Sequence, residues 1–91
     1  MKLLREHVAA ARALLRLTQA ELAALAGVGE ATVARFENGE TTLRAESLWR
    51  LHTALSELGI EFFNTGKPGV RYHPERDRRR LARTEPDRPV G

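Results

Sequence analysis

With 91 residues, 42% of them hydrophobic and 30% charged, the chain has material for one small domain and a modest core, and is too short for a second domain or a large enclosed active site. The absence of cysteine excludes disulfides and thiolate metal sites, and is compatible with a reducing cytosol. The net charge of +3 lies in the tail, because residues 1–70 carry eight Lys or Arg against eight Asp or Glu while residues 71–91 carry seven Arg against four acids; a polyanionic partner must therefore be argued from the arrangement of charges.

The first stretch, MKLLREHVAAARALLRL, interrupts its apolar positions with Arg5, Glu6, His7, Arg12 and Arg16. Neither a signal peptide nor a spanning helix is expected, and no membrane partner, so a soluble, cytoplasmic protein is the expectation. Val8, Ala11 and Leu15, with Leu4 before them, recur at helical spacing and predict a first helix over about residues 3–15. Thr18-Gln19-Ala20-Glu21 has the form of a capping box, in which the threonine hydroxyl accepts from the backbone three residues on and the glutamate reaches back. The second helix starts there, with Leu22, Ala23 and Leu25 as its apolar stripe, and Gly27 ends it by supplying the left-handed conformation. A third helix, about Glu30 to Glu37, buries Val33 and Phe36, ends at Asn38-Gly39, and turns Glu30, Ala31, Thr32 and Arg35 outward. Thr41 and Thr42 are candidate caps for a fourth helix over about residues 44–58, with Leu48, Leu51, Leu55 and Leu58 on one face and Gly59 as its stop. Ile60–Phe63 and Val70–Tyr72 read as the strands of a hairpin around a six-residue loop, Asn64–Gly69. From His73 onward arginine and proline displace apolar residues, which predicts a basic, largely flexible tail with at most a short helix around Glu75–Arg83.

Two short helices joined by a glycine turn suit a helix-turn-helix, in which the first helix lies across the phosphates and the second presents its N-terminal end to the major groove. From Ala10 to Leu58, through ARALLRLTQ, the helix pair, Glu37-Asn38-Gly39 and the leucine-rich helix that follows, the chain resembles the Xre family of regulators, which includes the phage lambda repressor. The fold expected is thus mainly α: a lambda repressor-like bundle of about four helices over residues 1–59, a β-hairpin at 60–72 that packs on or dimerises the domain, and the tail at 73–91.

The resemblance implies sequence-specific binding of double-stranded DNA. Carried over position by position, its contacts fall on Thr18 and Gln19 at the start of the second helix, on Glu30, Ala31, Thr32 and Arg35 as the base-facing set, and on Asn38, the Gly39 backbone, Thr41 and Arg44 at phosphates. Glu30 departs from the glutamine common in phage repressors. It cannot pair bidentately with adenine, but it can accept from the exocyclic amine of cytosine, or simply complement the positive end of its helix. Arg35 suits a bidentate guanine contact or a solvated surface; Ala31 suits a thymine methyl or plain helix formation; Thr32 suits a base, a phosphate or an exposed turn. Arg12 and Glu37 are, by the same resemblance, a structural ion pair joining the first helix to the end of the third.

The remaining signals are weaker. Trp49 lies off the leucine face, where it either covers the hairpin or serves a dimer contact. His7, His52 and His73 lack metal-like spacing and are expected at the surface or its boundary, so no metal or other cofactor is expected. No Ser-His-acid or paired-carboxylate set is identifiable, and the chain is not read as an enzyme. Arg76–Arg83 can track phosphates or merely solubilise. A lone binding module can act by occluding polymerase, so a repressor of a promoter or of its own operator is the leading reading. An antitoxin-like interaction protein, which neutralises a partner protein and autoregulates its operon, is the alternative. One recognition helix reads few base pairs, so a twofold homodimer on paired half-sites is expected.

Overall fold

The computed structural model describes residues 2–83. Four helices come first, α1 (Arg5–Leu15), α2 (Gln19–Ala26), α3 (Glu30–Glu37) and α4 (Ala45–Glu57); β1 (Ile60–Phe63) and β2 (Gly69–Tyr72) then form an antiparallel hairpin, followed by a 3-10 turn (Pro74–Arg76) and a short α5 (Arg78–Arg83). The mainly α architecture with a C-terminal hairpin agrees with the expectation, and α5 falls where a short helix was expected, within Glu75–Arg83.

The core takes one side of each helix. Val8, Ala11 and Leu15 of α1, Leu22, Ala23 and Ala26 of α2, Val33 and Phe36 of α3, and Leu51, Ala54 and Leu55 of α4 form a single cluster closed by Leu3, Leu17, Leu58 and Ile60. Leu22, Leu51 and Leu55 are wholly buried, and each such leucine contributes about 1.5–3 kcal/mol. In this arrangement α1 packs on α3 and β2, α2 on α3 and α4, and α4 on β1.

Local chemistry sets the chain reversals. Thr18 caps α2 as the sequence predicts, its Oγ1 accepting from Glu21 N–H at 3.0 Å while Thr18 N–H donates to Glu21 Oε1 at 2.9 Å. Gly27 stands at φ 75°, and Gly27 and Val28 N–H both donate to Ala23 O, closing the helix end with a left-handed glycine. The end of α1 uses the same conformation without glycine, Arg16 standing at φ 58°.

Several expectations need correction. Leu25 is exposed and Ala26 buried, because the inward face of α2 runs through positions 22, 23 and 26, leaving 25 to its side. Leu3 is buried, whereas Leu4 is half-buried as the N-cap of α1. Neither Thr41 nor Thr42 caps α4: Arg44 is its N-cap, without a side-chain bond, and the Thr41 hydroxyl donates to Thr42 O. Gly69 pairs with Phe63, which shortens the hairpin loop to Asn64–Pro68.

His7 is fully buried, not at a boundary. Leu4 N–H donates to its Nδ1 at 3.0 Å, which puts the ring proton on Nε2, 2.9 Å from Phe63 O. Both ring nitrogens are thus satisfied, and the ring clamps the start of α1 to the hairpin, edge-on to Phe62. His52 lies half-buried and stacked on Phe62 at 4.9 Å between ring centroids, and burial holds its pKa below the ordinary value.

The start of the basic tail is anchored. His73 N–H donates to Gly59 O at 2.7 Å, and a Cβ on Gly59 would come within 2.5 Å of His73 O, so only glycine admits the approach. Asp77 is fully buried; it accepts from Tyr72 OH at 2.6 Å and from the Arg79 backbone N–H, Nε and Nη2, and Arg79 Nη1 reaches Leu15 O at the end of α1. The short helix foreseen near Glu75–Arg83 is therefore tied to the body by Asp77, so the flexible tail expected over residues 73–91 is anchored in its first part, and its remainder, residues 84–91, lies outside the described residues.

Candidate nucleic-acid interface

α3 leaves the Gly27 turn with Val33 and Phe36 inward, and by helical geometry Glu30, Ala31, Ala34, Arg35 and Asn38 fall on the other side. Glu30, Ala31, Arg35 and Asn38 are exposed and Thr32 is half-buried. Arg35 has no hydrogen-bond or ion-pair partner among the described residues, so its guanidinium is available. Its N-cap, Gly29, brings no side-chain cap, so Glu30 is the acidic group nearest the positive end of the helix dipole.

Beneath this surface lies a shielded lock. Arg12 Nε and Nη2 donate to the two oxygens of Glu37 at 2.8 Å each, Arg12 Nη1 donates to Leu17 O at 2.9 Å, and Gln19 Nε2 donates to Glu37 Oε1 at 3.0 Å. The Glu37 side chain is only 6% exposed. Burial alone would raise its pKa, but the hydrogen bonds from Arg12 and Gln19 and the Arg12 charge prevail and hold it below the ordinary carboxylate value. The Arg12 guanidinium is raised in turn, first by its bond to Glu37. The three side chains fasten α1, the start of α2 and the end of α3 to one another, which fixes the angle at which α3 is presented.

At the end of α3 the backbone is largely self-satisfied: Asn38 N–H donates to Ala34 O, Gly39 N–H to Phe36 O and Glu40 N–H to Arg35 O. The free donors that this segment itself offers near Gly39 are thus the Asn38 amide, whose contact to Glu40 at 3.5 Å is marginal, and groups further along. Thr41 and Arg44 are exposed in the extended stretch before α4, joined to the α3 set by chain continuity and not by a side-chain contact. Thr18 keeps its hydroxyl proton free for a second partner, since Oγ1 acts only as acceptor in the cap.

Two further cations, not expected at the site from the sequence, lie beside it. Arg50 of α4 donates through Nη1 to Gly27 O at 3.2 Å and through Nη2 to Glu46 at 2.7 Å, tying α4 to the turn. Arg5 of α1 lies against Gly39. The Arg50–Glu46 pair has a local i,i+4 spacing, but the approaches to Gly27 and Gly39 join residues far apart along the chain and carry no local signal.

The Thr18-capped α2, the glycine turn, the lock and the free outer face of α3 form a helix-turn-helix, the build of a DNA-binding transcriptional regulator. The helix-turn-helix family model HTH_3 matches residues 8–63, and the chain belongs to that Xre and lambda-repressor-like family. Among solved structures, the DNA-binding domain of the P22 C2 repressor (residues 1–76) is similar to it, with 33% identity and a TM-score of 0.55 over 60% of this chain and 72% of that one. No curated protein sequence matches significantly. Among the described residues no helix is long and apolar enough to cross a membrane.

Proposed function

We propose that this protein is a sequence-specific repressor that binds operator DNA as a twofold homodimer and occludes a promoter or its own operator. The observation that carries the reading is the recognition helix itself, whose outer face is free while Arg12, Gln19 and Glu37 fix its base. In this reading Glu30, Ala31, Thr32 and Arg35 face base edges in the major groove. Thr18, Gln19, Asn38, Thr41 and Arg44 hold phosphates and so set register and orientation, with Gly39 as the turn at the end of the recognition helix around which the Asn38 and Thr41 contacts are grouped. The similar P22 C2 domain is named as a DNA-binding domain of a repressor, which supports the same assignment here.

Selection of bound duplexes from a random DNA pool tests it. The expected product is a twofold-symmetric motif with half-site centres about 10 bp apart. A pool that gains no sequence bias through successive rounds would overturn the assignment of specific recognition. Repression then requires that the selected site overlap a promoter and that transcription from it fall when the protein is added.

A further inference from the structure

Arg5 stands in the first turn of α1, distant in sequence from the recognition helix, yet its guanidinium rests on Gly39. A Cβ built on Gly39 would overlap Arg5 Nη1 and lie 2.9 Å from its Cζ. The spacing explains the reach: Arg5 and Arg12 are seven residues apart and share a helix face. Arg12 is held by Glu37, and Arg5, two turns earlier, extends past it to the end of α3. Their employment differs. Arg12 is shielded and bidentate, whereas Arg5 is about half exposed and, among the described residues, its one polar contact is a 3.3 Å approach of Nε to its neighbour Glu6. No carboxylate partners the Arg5 Nη groups among the described residues.

The end of α3 needs a cation if DNA is to approach it. The C-terminus of a helix carries negative partial charge, Glu40 adds a full charge beside it, and the N–H groups of residues 38–40 are already bonded within the chain. A phosphate arriving there meets repulsion and no free backbone donor at these three residues. We propose that Arg5 is a phosphate-binding residue of the DNA interface, its Nη groups clamping a backbone phosphate at the C-terminal end of the recognition helix, beside Gly39, which its φ of 77° reserves for glycine. The inference rests on the DNA-binding reading above. Arginine suits the task because its planar fork presents two parallel donors to phosphate oxygens. Base readout remains with α3.

The test is the salt dependence of binding by the full chain to a selected duplex, for wild type, Arg5→Gln and Arg5→Lys, with melting curves of the free proteins alongside. Losing one phosphate contact should make the slope of log K against log salt shallower by about 0.9 per protomer, which is roughly a tenfold loss of affinity per protomer near 0.1 M salt. Arg5→Gln should show that loss equally on every duplex and leave the ranking of single-base variants unchanged. Arg5→Lys keeps the charge and should retain the slope. If Arg5→Gln lowers the melting temperature but leaves the slope as in wild type, Arg5 only complements the helix dipole and the proposal is overturned. If wild type itself binds no duplex, the functional reading fails first, before the variants are compared.

Discussion

Glu37 is the residue through which the interface and the core communicate. Its carboxylate takes three donors from two other helices, so removing Arg12 strands a shielded charge as well as a bond. Arg12→Ala should cost ~3 kcal/mol, the low end for breaking a buried pair because Arg12 is itself partly exposed, and chemical denaturation would measure it. A loss below about 0.5 kcal/mol, the scale of an exposed pair, would show that the lock contributes nothing special. On the outer face, Glu30→Gln separates reading from helix complementation. If Glu30 accepts from cytosine, an amide in its place should move preference at the facing position toward adenine, since an amide both donates and accepts. Binding to four duplexes that differ at one position is the measurement, and an unchanged order of preference would remove Glu30 from the base-facing set. Gln19→Ala and Arg35→Ala should differ in kind. The first weakens all sites alike, because Gln19 braces Glu37, while the second erases preference at one guanine, a discrimination of ~1–3 kcal/mol for a bidentate contact.

The anchoring of α5 through Asp77 turns a stretch of arginines into part of the body. Burial alone would raise the Asp77 carboxyl, but the bonds from Arg79 and Tyr72 outweigh it and bring it down to about 2. A pKa depressed in the folded state stabilises above the unfolded value, near 4, and the gain is lost as pH falls through about 2. At neutral pH that amounts to about 2 kcal/mol. Glu37 titrates with the same sign, so the useful comparison is between wild type and Asp77→Asn in urea from pH 7 to pH 2. Their stabilities should differ most at neutral pH, draw together below about pH 4 and converge only as pH falls to about 2; a constant difference across the range would mean that Asp77 acts through packing and not through charge. This element also shows where sequence reading stops. The boundaries of α2 and α3 were legible, because a threonine with a glutamate three residues on and a left-handed glycine are local devices. Asp77 lies in a run of arginines that reads as solvated, and only the return of the chain past Gly59 and Leu15 buries it. His7 is alike, since its carbonyl partner on Phe63 is 56 residues away, and so is Arg5 over Gly39. Leu25 was misplaced for a different reason: an eight-residue helix has too few apolar positions to tell which side of the stripe the neighbours will cover.

For the whole molecule the open quantity is the number of chains per operator. A single α3 reaches too few base pairs for useful specificity, so two copies related by a twofold axis are expected, their recognition helices about one DNA turn apart. The surface that joins them must be apolar and away from α3. Trp49 meets that description: it is 60% exposed, its ring stacks only loosely on His52 at 6.2 Å, and exposed Leu25 shares a shallow cleft with it between α2 and α4. Large aromatics dominate the energetics of such interfaces. Trp49→Ala should therefore leave the fold of the monomer intact, with a melting temperature close to wild type at concentrations where both are monomeric, and should weaken assembly on a palindromic site. Sedimentation of each protein with a duplex carrying one or two half-sites gives the answer. Wild type should load two protomers cooperatively on the double site, and Trp49→Ala should load them independently, each with the affinity of a single half-site. Cooperative loading by Trp49→Ala would move the interface to the hairpin, where Arg71 lies over the Phe63 ring, and one wild-type protomer on a non-palindromic site would remove the dimer altogether.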